Sequence, residues 1–154
     1  DPRIMVYLNM DITEDMWGPI TEPDRIERGI SYAASIVSHA ISQGIDVGFG
    51  SNGYTIDEPK QPVRVFPRNG EEQLFFLLDT MAKLVVDRSV TFYTFLEEEI
   101  KERASGAFSG SIDYLFITSY VSERMRNQIR QLEDMGNSVE ILWLKDPGKE
   151  GSND

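Results

Sequence analysis

Apolar residues in this chain fall into short solid runs. Between the runs they recur at three- and four-residue spacing. Residues 4–10, IMVYLNM, are almost uncharged and read as a strand buried on both faces. A loop with Trp17, Gly18 and Pro19 follows. Thr21, Pro23 and Asp24 then give a helix start, with proline in the first turn and an acid three residues after the threonine. Ile26, Ile30, Ala33, Ala34, Val37, Ala40 and Ile41 form a wide apolar stripe on that helix, and Gly44 ends it. Residues 45–53, IDVGFGSNG, read as a second strand whose glycines imply close backbone approach or a bend. Residues 63–66, VRVF, lie between Pro62 and Pro67 and suit a short edge strand, antiparallel to the one before.

Asn69, with Glu72 three residues on, is placed to cap the next helix, whose core face is Leu74, Leu77, Leu78, Met81, Leu84 and Val85. A shorter amphipathic helix uses Phe92, Phe95, Leu96 and Ile100. Glu97, Glu98 and Glu99 are assigned to its solvent side. After a loop over 105–111, residues 112–118 (IDYLFIT) read as another buried strand. Met125, Ile129 and Leu132 mark a helix that stops at Gly136, and residues 139–144 (VEILWL) form the last strand. Alternation of this kind predicts a three-layer α/β/α, Rossmann-like domain over residues 1–145. Its sheet is mainly parallel with one antiparallel edge strand. The polar residues 146–154 are expected to form a frayed tail.

The length of 154 residues suits one domain, and no repeat or long linker divides it. With no cysteine, disulfides and thiolate metal sites are excluded. A net charge of −11 argues against a nucleic-acid binder and against an anionic membrane surface. No run approaches the length of a membrane span, and no secretory signal opens the chain. The start at Asp1-Pro2, entering an apolar run at once, suggests a domain of a longer protein.

Ligands of open α/β sheets bind beyond the carboxyl ends of the parallel strands. There the sequence places Asp11, Thr13, Glu14 and Asp15, then Ser51 and Asn52, then Ser119 and Tyr120. Asp11, Thr13 and Asp15 offer oxygens at alternate positions, a spacing that can converge on one hard cation. The plainer alternative is that Asp11 and Thr13 orient the loop and cap a helix. The run D-I-T-E-D-M resembles the D-x-S-x-S-M metal-ion-dependent adhesion site of von Willebrand factor A domains. That resemblance implies a further threonine, which Thr91 or Thr94 would supply, and an acid where Ser119 stands. Asp15 in place of a hydroxyl and Ser119 in place of an acid imply a degenerate site. The expectation is no cofactor, or at most weak Mg²⁺ or Mn²⁺ binding.

The resemblance extends along most of the chain. Residues 25–53 and 64–84 are similar to the helix–strand unit, the proline-arginine turn and the leucine-rich helix of the bacterial family called domain of unknown function 58. This implies a von Willebrand factor A-like domain, cytoplasmic, of a parent that is often membrane-anchored. It also implies a protein partner, a MoxR-type AAA+ ATPase, in assembly or chaperone work.

Three functions compete. A non-catalytic interaction domain would use aromatic anchors at the same rim: Trp17, Tyr93 and Tyr120. A divalent-metal-dependent ligand-binding domain or metal-assisted hydrolase would use Asp11 and Asp15, with Glu14. The lone His39 sits in a helix, however, and no nucleophile elbow or phosphate loop occurs. A phospho-receiver would need an aspartate where Gly50, Ser51 and Asn52 stand. The first reading is the expectation, and the protein is not expected to be an enzyme.

Overall fold

The computed structural model of the chain describes residues 2–14, 18–106 and 110–145. The solid apolar runs become strands. β1 is Arg3–Leu8, β2 is Asp46–Ser51, β6 is Asp113–Thr118 and β7 is Ser138–Trp143. With β4 (Val63–Arg68) they form a five-stranded sheet in the order β4-β2-β1-β6-β7. β1 pairs in parallel with β2 and β6, and β6 with β7. β4 alone runs antiparallel, on the outer edge of β2. A separate ribbon joins β3 (Tyr54–Thr55) to β5 (Leu84–Val85).

The helices are α1 (Pro23–Ser42), α2 (Glu71–Ala82), α3 (Phe92–Ala104) and α4 (Glu123–Asp134). They cover the sheet in two layers, because β1 turns alternate side chains to opposite sides. Val6 and Leu8 pack with Ile26, Ala33 and Val37 of α1 and Leu77 and Met81 of α2. Met5 and Tyr7 pack with Phe92, Phe95 and Leu96 of α3 and Met125 and Leu132 of α4. A strand covered on both faces needs apolar residues at every position, hence the unbroken run that marks it in the sequence. The α3 side is largely aromatic. The Tyr7 and Phe95 rings meet edge to face at 4.7 Å, a favoured quadrupole arrangement. The expected three-layer α/β/α fold with one antiparallel edge strand is therefore present.

The glycines of β2 are where the backbone is approached most closely. A Cβ on Gly50 would lie 2.6 Å from Tyr7 Cε1 and 2.7 Å from the Val63 carbonyl. Bare backbone at this point lets the tyrosine ring lie across β2 while β4 stays paired.

Several local expectations need correction. Asn69 does not cap α2. Gly70, at φ 95°, is the N-cap residue, and Asn69 Nδ2 instead donates to Asp46 Oδ1 at 2.6 Å. Thr21 likewise lies one residue short, with Glu22 at the N-cap of α1 and no side-chain cap bond. Leu84 and Val85 leave the α2 helix for the β3–β5 ribbon, since the helix ends at Ala82. The second strand stops at Ser51 rather than 53, and the edge strand extends past Phe66 through Arg68. The largest correction concerns Glu99, assigned to solvent. It is 5% exposed, because Phe92, Phe95, Leu96 and Glu99 fall at i, i+3, i+4 and i+7 on one helix face.

Candidate functional site at the strand ends

The parallel strands end together on one rim, and two buried asparagines lace it. Asn9, just past β1, donates from Nδ2 to Thr118 Oγ1 at 3.0 Å and accepts the Asp11 amide on Oδ1 at 2.8 Å. Asn52, just past β2, accepts the Met10 amide at 2.8 Å and donates to the Val90 carbonyl at 3.1 Å. Ser89 closes the same loop, its amide and hydroxyl both donating to the Asn52 carbonyl. The sequence places Asn52 at this rim by its position after the second strand, whereas Asn9 is hidden inside the first apolar run. The signal for both is an amide within or just after an apolar run, where a buried polar group needs a partner.

These bonds fix Asp11, which is 2% exposed. Its Oδ2 accepts the amide of Phe92, the first residue of α3, at 3.1 Å. The positive end of the helix macrodipole therefore faces the carboxylate. Its Oδ1 accepts no hydrogen bond but lies 3.5 Å from Arg88 Nε. Burial pushes the Asp11 carboxyl up from its ordinary value. The Phe92 amide, the Arg88 charge and Asn52 oppose that rise.

The other expected site residues are arranged unevenly around it. Thr91 is the N-cap of α3. Its Oγ1 accepts the Thr94 amide at 3.1 Å and donates to Thr94 Oγ1 at 3.1 Å. Thr13 is exposed on the rim. Ser119 Oγ is buried and makes no hydrogen bond. Glu14 Oε2 accepts from Ser122 Oγ at 2.5 Å, tying the first loop to the start of α4. Tyr93 is half-buried on α3 beneath the Arg124 guanidinium, 3.8 Å from its ring centroid, and Tyr120 is half-buried on the α3–α4 side. Asp15 and Trp17 lie outside the described residues. His39 is exposed near the end of α1, away from this chemistry. Among the described residues no three His, Cys, Asp or Glu side chains are placed to share a metal ion.

A second polar cluster lies on the α3 side of the sheet, at the β4 end. Glu99 Oε1 accepts from the Tyr7 hydroxyl and from Arg64 Nε, the latter at 3.0 Å. Its Oε2 accepts from the Tyr114 hydroxyl at 2.6 Å. The Arg64 guanidinium lies 3.9 Å from the Phe95 ring centroid and also donates to the Phe95 carbonyl. Burial, with the Glu99 charge second, pushes both tyrosine hydroxyls well above their ordinary range. Both oxygens of the buried carboxylate are met, so the cluster fastens α3 to β1, β4 and β6.

No protein-family profile matches the chain, and no curated protein matches it. Among solved structures it is similar to the pilus adhesin SpaC from Lactobacillus rhamnosus GG, with a TM-score of 0.57 and 10% identity. The alignment covers 92% of this chain and 24% of the adhesin, so the chain spans about a quarter of that protein's length. At this identity the likeness is one of fold.

Proposed function

We propose that the chain is a protein-binding domain of the von Willebrand factor A-like type, related to the bacterial domain-of-unknown-function family described above. In this reading it engages its partner through the strand-end rim, without a divalent ion and without catalysis. The observation that supports it is the ion pair between Asp11 and Arg88. A Mg²⁺ ion at this rim would need the Asp11 carboxylate as a ligand, yet a guanidinium already stands 3.5 Å from Oδ1. Like charges that close repel strongly inside a protein. Thr91 spends its hydroxyl on the α3 cap, and Ser119 brings no charge. The described residues therefore do not fit the ion, and Arg88 supplies the positive charge that balances Asp11. The same arrangement disfavours a metal-assisted hydrolase, because the Arg88 charge stands where an ion on Asp11 would sit.

The partner in this proposal is a MoxR-type AAA+ ATPase, and the parent protein is membrane-anchored with this domain on the cytoplasmic side. No helix among the described residues is long and apolar enough to cross a membrane. Calorimetric titration with Mg²⁺ and Mn²⁺ should give no binding heat on the wild type. Binding to the ATPase should survive a chelator in the absence of nucleotide and weaken at least about tenfold, roughly 1.4 kcal/mol, in Tyr120→Ala or Thr13→Arg. Divalent binding that Asp11→Ala abolishes would overturn the metal-free reading. Indifference of the partner to both rim substitutions would overturn the choice of surface.

A further inference from the structure

Helix α2 buries Gln73, Leu77, Thr80 and Met81 and turns two aromatic rings outward. Phe75 and Phe76 are 69% and 56% exposed. A single exposed apolar side chain is ordinary, but two large rings side by side on one helix make a patch that a partner can cover. Each residue turns a helix by about 100°. Glu72, three residues before Phe75, and Asp79, four after it, therefore lie about 60° and 40° round the helix from Phe75 towards Phe76. The outer face of α2 thus carries two rings with a carboxylate between them one turn to either side.

The charge of this face has one sign. α2 contains Glu71, Glu72 and Asp79 and no lysine or arginine. Lys83, just past its end, is shared between Asp79 at 2.9 Å and Asp57 at 3.0 Å, so one base answers two acids. Glu71 and Glu72 form no ion pair among the described residues. Acids in the first turn favour the helix dipole, and Lys83 accounts for Asp79, so the carboxylates alone need no partner. Neither effect accounts for the two rings set among them.

We infer that this face of α2 docks a basic amphipathic helix of another protein. An apolar side chain of that helix meets both rings. Lysine or arginine side chains two turns apart on it reach Glu72 and Asp79, which have the same spacing on α2. The stems of those bases cover ring surface, and their cationic heads gain from the ring faces as well as from the carboxylates. The net charge of −11 steers the same partner, and it repels an acidic segment, an anionic membrane and a second copy of this chain. Leu77 and Met81 seat α2 in the layer opposite α3 and Tyr120. This is therefore a second contact surface, separate from the strand-end rim.

The probe is a synthetic helical peptide with arginines two turns apart and a leucine midway between them, compared with the same peptide carrying glutamate for arginine. Fluorescence anisotropy should show binding of the arginine peptide only, weakening as salt rises. Phe75→Ala and Phe76→Ala should leave the far-UV circular dichroism unchanged, since both rings are largely exposed, and each should weaken the peptide about tenfold. Glu72→Lys combined with Asp79→Lys should lose the arginine peptide and gain the glutamate one. Tyr120→Ala, at the rim, should change neither. A wild type that does not bind the arginine peptide overturns the inference. So does binding indifferent to both phenylalanine substitutions, which would be the general attraction of a basic peptide to an acidic chain. Self-association in sedimentation of the protein alone, abolished by Phe75→Ala, would make a second copy the occupant and overturn the basic helix.

Discussion

Glu99 is the residue whose environment departs furthest from its position in the sequence. Three successive glutamates on a helix suggest a solvated face, yet each step turns the helix by about 100°. The third therefore falls back in line with Phe92, Phe95 and Leu96. The helical spacing carries that information, and the run of like charge masks it. Its partners were not legible, because Tyr7, Arg64 and Tyr114 come from three separate strands. Removing the carboxylate leaves two buried hydroxyls without their acceptor and takes one of its partners from the Arg64 guanidinium, which keeps Glu98 and the Phe95 carbonyl. Glu99→Ala should cost about 3–5 kcal/mol, the range for breaking a buried ionic group. Glu99→Gln, which keeps one acceptor, should cost less. Urea unfolding checks both, with the midpoint shifting and the slope unchanged. Asp11 differs in being under-satisfied. Burial raises its carboxyl, so the folded state holds that proton more tightly than the unfolded chain does. The resulting stability is full below the ordinary aspartate range and is lost as pH rises through the raised value. Asp11→Asn should abolish that slope, read as the stability difference from wild type across the acidic range. An unchanged slope would mean that another group titrates there.

At the level of elements, the sequence was most legible where periodicity and burial agree. The five strands of the main sheet and all four helices follow from solid runs and 3.6-residue stripes. Ends were less legible, because a cap is decided by one residue's backbone angle and several neighbours compete for it. Asn69 carried the usual capping pattern, but Gly70 takes the position at φ 95°, a conformation costly for residues with a Cβ. The β3–β5 ribbon is only two residues on each side and leaves no periodic trace. Two substitutions test elements directly. Ser122 caps α4 by accepting the Met125 amide at 3.2 Å while donating to Glu14. Ser122→Ala should cost about 1 kcal/mol and also free the first loop, seen as faster amide exchange around Glu14. Gly50→Ala forces a methyl group between the Tyr7 ring and the Val63 carbonyl. It should destabilise by about 1–3 kcal/mol and loosen the β2–β4 pairing, giving faster exchange at residues 63–66.

For the whole molecule, topology follows from the alternation of elements, but the site does not follow from topology alone. The sequence placed Asp11, Thr13, Thr91, Ser119 and Tyr120 near strand or helix ends, and the fold brings those ends to one rim. It could not show that Arg88, in the segment before α3, would reach the same carboxylate, since nothing local links positions 11 and 88. The strand order also grades stability across the sheet. β1 is central, buried on both faces and hydrogen-bonded on both sides, whereas β4 and β7 are edges. Amide exchange should therefore be slowest in β1, opening only with global unfolding, and fastest in β4 and β7. Exchange in β1 as fast as in β4 or β7 would show that the sheet opens through its centre, and the order of strands would then not set the order of opening.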